Sequence, residues 1–132
     1  MYDRTSGTMA RMFLAIASIL GALSVAGGAF GAHALKGQLT ESALNSFETG
    51  VRYQMYHAIA LLLVAILIGQ NPDVKGLVTV GGCFVAGVVL FSGSLYGLSL
   101  AGMKALAPVT PLGGVAFIAG WCLLAWLSRS LY

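Results

Sequence analysis

The charges of this chain leave four long stretches untouched. Arg11 to Lys36 encloses 24 uncharged residues, Arg52 to Asp73 encloses 20, Lys75 to Lys104 encloses 28, and Lys104 to Arg129 encloses 24. Ala, Leu, Ile, Val, Gly and Phe fill most of each stretch. A charged side chain at bilayer depth costs at least ~2.5–3.5 kcal/mol, and about 20 apolar residues of helix cross the hydrocarbon core. Charge-free runs of this length predict four transmembrane helices, at about residues 12–35, 53–69, 76–101 and 108–127. The expected fold class is therefore an all-α integral membrane protein, one membrane domain over residues 1–132. Only 8% of the residues are charged and 58% are hydrophobic, whereas a soluble protein averages about 25% charged. No soluble module fits beside the spans. The net charge of +3 comes from scattered Lys and Arg, so there is no basic patch for nucleic acid.

Local signals divide the chain further. Arg4 and Arg11, an apolar run and then Ala32-His33-Ala34 have the outline of a signal peptide. The run exceeds the 7–15 residues or so of a leader's apolar core, and it is read as a retained first span. Small residues recur through it, with Ala17 and Gly21, Ser24 and Gly28, and Gly27 and Gly31 each four apart. Such pairs let a neighbouring helix backbone approach closely. In the following loop, Thr40 is an N-cap candidate. Leu44, Phe47 and Val51 then lie opposite Glu41, Asn45, Glu48 and Arg52. That pattern predicts a short amphipathic interfacial helix at about 41–50, between spans one and two, with Gly50 marking the bend into the membrane. Asn71-Pro72-Asp73 is a turn signal. Gly93, Gly97 and Ala101 form a second small-residue stripe, and Gly113-Gly114 reads as close backbone packing. Pro108 and Pro111 fall at the start of span four, where proline is tolerated. Trp121, Trp126 and Tyr132 read as interfacial anchors at its far end.

Four spans place both termini on one side. That side carries Arg4, Arg11, Lys75 and Arg129, and the other carries Lys36, Arg52 and Lys104. The small excess predicts cytoplasmic termini. Following the direction of each span then assigns depths to the uncharged polar residues. His33 ends span one away from the termini, and His57 enters span two from that same side. Ser92, Ser94 and Tyr96 occupy the half of span three that approaches it, and Thr110 begins span four there. Arg52, Tyr53, Gln54 and Tyr56 close the same end. The expectation is a polar cluster in one leaflet and an apolar bundle in the other.

An ionisable group at membrane depth is a functional hypothesis by default. His33 and His57 on adjacent helices could relay a proton, or ligate haem or a metal. Set against this, each histidine could simply donate to a backbone carbonyl or to a tyrosine, and Tyr53 stands four residues before His57. The proximity of His33 to Lys36 and the headgroups weakens the haem reading. The packing role is preferred. Ser92, Gly93, Tyr96, Gly97 and Ser99 share a face that could line a small-molecule pocket, but helix packing explains it too. Arg52 and Lys36 could hold an anionic headgroup or act as ordinary flanking anchors. Cys83 and Cys122 fall in the same half of the membrane and read as two buried thiols. No nucleophile with a base and an orienting group occurs, and no carboxylate lies within an expected span. An enzyme or a stand-alone coupled transporter is disfavoured, and no cofactor is assigned. The remaining reading is a structural or accessory subunit in lipid, packed as a homo-oligomer or in a larger membrane complex. Lipid, quinone or haem binding at the polar end is the alternative, and a transporter or channel subunit is a weaker one.

Four blocks carry a family resemblance. They are Gly28-Ala29-Phe30-Gly31-Ala32-His33-Ala34-Leu35; Phe47-Glu48-Thr49-Gly50-Val51-Arg52-Tyr53-Gln54-Met55-Tyr56-His57-Ala58; Leu90-Phe91-Ser92-Gly93-Ser94-Leu95-Tyr96; and Thr110-Pro111-Leu112-Gly113-Gly114. In this order they resemble the domain-of-unknown-function 423 family, which includes the animal transmembrane protein 256. The resemblance covers about residues 12–128. It implies a four-helix integral membrane protein, in bacteria of the plasma membrane, and it implies no activity.

Overall fold

The computed structural model describes residues 4–132. Four helices long and apolar enough to cross a membrane account for most of them. Helix α1 runs Arg4–Leu35, its last turn Gly31–Leu35 wound as a π-helix. Helix α2 is Glu41–Gln70. Helix α3 is Gly76–Ala101, with a π-helical turn at Val88–Ser92. Helix α4 is Val109–Leu127, between short 3-10 turns at Lys104–Leu106 and Ser128–Ser130.

In lipid the backbone can satisfy its polar groups only internally, so even glycine-rich segments stay helical. The breaks occur where the sequence supplies its own partners. The Thr40 hydroxyl accepts from the Ala43 N–H at 3.1 Å and starts α2. The Asn71 N–H donates to Leu67 O at 2.8 Å and ends it, just before Pro72. Gly102, at φ +62°, caps α3 in the left-handed region and donates to Gly97 O, a conformation costly for residues with a Cβ.

Two boundaries differ from the expectation. Helix α1 starts about two turns before Met12, so Arg11 lies on the helix with its side chain exposed. The amphipathic segment 41–50 is helical but not separate, because it continues without a break into the second span. Gly50 is not a bend. It lies within the helix against the face of Tyr96, where an added Cβ would stand 2.9 Å from a ring carbon. Glycine there answers to a neighbour's bulk, and one glycine is too weak a breaker to interrupt a helix that lipid supports.

α2 and α3 are the inner helices; α1 packs chiefly on α2, and α4 chiefly on α3. The core they share includes Phe84, Leu61, Ile68, Leu77, Val64 and Val80, all sealed from the outside. The opposite surface is equally apolar: Ile19, Leu23, Val25, Val89, Val115 and Ile118 are each more than half exposed. In water so much exposed apolar surface would drive aggregation. Against lipid tails it is the ordinary exterior of a membrane bundle.

Candidate functional site

The polar side chains at membrane depth form four separate links, each tying one helix to another. The Tyr96 hydroxyl donates to Gln54 Oε1 at 2.7 Å, and Gln54 Nε2 donates to Leu20 O at 3.0 Å. This chain crosses from α3 through α2 to α1. Ser24 adds a second donor to Leu20 O at 2.7 Å. Tyr96 reaches Gln54 because a helical side chain leans toward the N-terminus of its own helix, and α3 runs antiparallel to α2. The fully buried Ser92 donates from the π turn to Gly50 O at 2.7 Å. Ser94 and Thr110 share a hydrogen bond of 2.6 Å between α3 and α4.

The fourth link contains His57. Trp121 Nε1 lies 3.1 Å from His57 Nε2, and His57 Nδ1 lies 2.7 Å from Tyr53 O. An indole nitrogen only donates, so His57 Nε2 is the acceptor. Nδ1 therefore carries the proton and donates to the carbonyl. The imidazole is neutral, its tautomer set by its neighbours, and it has no free lone pair in its ring plane. The ring stacks on Phe117 at 3.5 Å between centroids and meets Phe84 edge-on at 5.4 Å. Phe117 reaches that position because Gly87 leaves room for its ring.

The two histidines do not meet. His33 is exposed on the last turn of α1. Its level on α2 follows from Gly31, where an added Cβ would stand 3.0 Å from a ring carbon of Phe47. Phe47 and His57 are ten residues apart, so the histidines are separated by roughly 15 Å or more along the axis at 1.5 Å per residue. His57 is also deeper than expected. It meets Phe84, eight residues into α3, and Trp121, twelve residues into α4, well inside both spans. A shared haem iron does not fit this arrangement, because the rings lie too far apart and both nitrogens of His57 are engaged. Among the described residues no three His, Cys, Asp or Glu side chains gather as a metal site.

The other expected residues sort by depth. Arg52 is exposed and donates to Thr49 Oγ1 at 3.3 Å. Tyr56 is exposed, and the half-exposed Tyr53 packs on Phe91 at 4.7 Å. Of the expected packing glycines, Gly27 and Gly28 face Val51, Gly97 faces Leu106, and Gly113 lies against the backbone of Phe91. Gly114 touches Phe91 only loosely, and Gly93 faces open space. Cys83 is half-buried and Cys122 exposed, both as free thiols, so Cys122 is a lipid-facing group and not a buried one. Trp121, read as an interfacial anchor, is instead the partner of His57. Gln54 and Trp121 are the residues whose weight the sequence understated. An amide two residues past Arg52, where the charge-free run begins, was the available signal for Gln54; Trp121 had none. A groove of about 280 Å³ beside the Gln54–Tyr96 link is lined by Leu23, Gly27, Phe47, Val51 and Leu100.

An apolar exterior, four spans and polar groups turned inward define a small multi-pass integral membrane protein that lives among lipids. The family follows from its relatives. Residues 27–114 match the model of a protein family of unknown function, DUF423. The chain is 44% identical to the UPF0382 membrane protein YwdK of Bacillus subtilis, over 86% of this chain and 93% of that one. It is 41% identical to the UPF0382 inner membrane protein YgdD of Escherichia coli K12, over 86% of each. With UPF0382 membrane protein SH2409 of Staphylococcus haemolyticus it shares 39%, over 86% of this chain and 92% of the relative. The chain belongs to the DUF423 family. No solved structure matches it.

Proposed function

We propose that this chain is a non-enzymatic structural or accessory protein of the membrane, which packs through a glycine face of α3 against a second copy or a larger membrane complex. One contrast carries the reading. Four glycines of α3 each have a side chain from another element where a Cβ would stand: Leu127 at Gly76, Phe13 at Gly81, Phe117 at Gly87 and, from the 3-10 turn, Leu106 at Gly97. Gly82 and Gly93 have nothing within 4 Å. Gly82, Ala86 and Gly93 are exposed on this inner helix, with the exposed Val89 between the last two. A face built mainly of small residues is a surface on which helices associate in lipid, where close van der Waals contact is the main attraction. The polar groups support the same reading. No buried side-chain nitrogen or oxygen among the described residues lacks a partner, so the cluster is spent on joining helices.

The test is the mass of the protein in mild detergent or nanodiscs, with its co-purifying partners. A dimer or larger assembly is expected, weakened at least tenfold by the double variant Gly82→Leu, Gly93→Leu, which fills the open face while leaving the internal contacts intact. A monodisperse monomer without any partner would overturn the reading.

A further inference from the structure

We infer a binding site for an anionic phospholipid at the end of the bundle that carries the termini. A cleft of about 400 Å³ opens there between the first turns of α1, the end of α2 and the start of α3. Its rim carries Lys75 and Thr79, four residues apart and thus on one side of α3; both are exposed. Its floor is Met9, Ile68 and Val78. Ser6, also in the lining, donates to Pro72 O at 3.0 Å and ties α1 to the α2–α3 turn, which holds the walls together.

Depth and charge select the occupant. The rim is level with the Pro72 turn, where the chain leaves the apolar zone. The floor merges with the sealed core at Ile68 and Leu77. A ligand fitting both has a polar head and an apolar tail, in the orientation of a lipid in this leaflet. Lys75 is the charge in the cleft's lining; Arg4 and Arg11 line a separate groove at the same end, and along the sequence this end carries Arg4, Arg11, Lys75 and Arg129 against Asp3 and Asp73. Lys75 and the net positive charge of this end favour a phosphate-bearing head of net negative charge, and a pocket between membrane helices with a cationic rim is the kind of place such heads occupy. Lys75 supplies the ammonium, Thr79 a hydroxyl donor, and Met9 and Val78 a track for the first part of an acyl chain. This site is at the opposite end from Arg52 and Lys36, and it does not depend on self-association.

The experiment is native mass spectrometry of the full chain in mild detergent. The probes are phosphatidylglycerol and phosphatidylcholine with identical acyl chains. The wild type is expected to retain phosphatidylglycerol at least fivefold better. Lys75→Gln should abolish the preference, and Thr79→Trp should fill the cleft and lower retention of phosphatidylglycerol. Lys36→Gln, at the other end, should leave the preference unchanged. Equal retention of the two lipids by the wild type would overturn the site. So would a preference that survives both Lys75→Gln and Thr79→Trp, or displacement of the lipid by millimolar inorganic phosphate.

Discussion

His57 shows how a membrane-depth histidine is held neutral by geometry alone. Trp121 can only donate, so Nε2 must accept; Nδ1 must then donate to Tyr53 O. Nitrogen-15 spectra of the imidazole should show the proton on Nδ1 at neutral pH, and a proton on Nε2 would contradict the arrangement. Trp121→Phe keeps the aromatic bulk and removes the donor. It should lower stability in micelles by about 0.6 kcal/mol, the average of a membrane-buried hydrogen bond. His33→Ala, at an exposed position, should change stability by less than about 0.5 kcal/mol. The sequence placed both histidines together at one polar end. His57 instead lies beside Phe84 and Trp121, well inside α3 and α4, and His33 stands exposed at the end of α1.

At the scale of elements, contact between α3 and α4 depends on glycine. An added Cβ at Gly113 would stand 2.6 Å from Phe91 Cβ, on the backbone of the π turn. Gly113→Ala should therefore cost about 1–3 kcal/mol, as overpacking of a fitted interior does. Gly21→Ala on α1, with nothing within 4 Å, should cost no stability. Thermal or denaturant unfolding in micelles compares the two, and equal effects would contradict the packing described. The small-residue pattern was legible in the sequence as a general tendency to close packing. Which glycine faces a ring, which a backbone and which open space was not, because each depends on the rotation of a helix about its axis. The π turns at Gly31–Leu35 and Val88–Ser92 also shift those rotations away from the α-helical period on which a sequence reading relies.

For the whole molecule, the even number of spans puts Arg4, Arg11, Lys75 and Arg129 at one end. The positive-inside bias predicts that this end is cytoplasmic. A fluorescent protein fused after Tyr132 should be bright, and alkaline phosphatase at the same point inactive; the opposite pair of results would reverse the orientation. The same end carries the lipid cleft, so the orientation decides which leaflet supplies the lipid.

The sequence by itself determined that the chain crosses a membrane four times and roughly where. That outcome depends on the cost of placing charges in hydrocarbon, and Arg11, Lys36, Arg52, Asp73, Lys75, Lys104 and Arg129 mark its limits without reference to any neighbour. It also singled out Ser92, Ser94, Tyr96, Thr110 and His57 as polar groups that lipid would not tolerate unpaired. Only the tertiary structure decided their partners. Trp121 meets His57, Gln54 joins Tyr96 to Leu20, and Ser92 finds Gly50 because each bond joins positions at least thirty-four residues apart, set by helix rotation and stagger. Such bonds are short-ranged and directional, and no one-dimensional pattern encodes them.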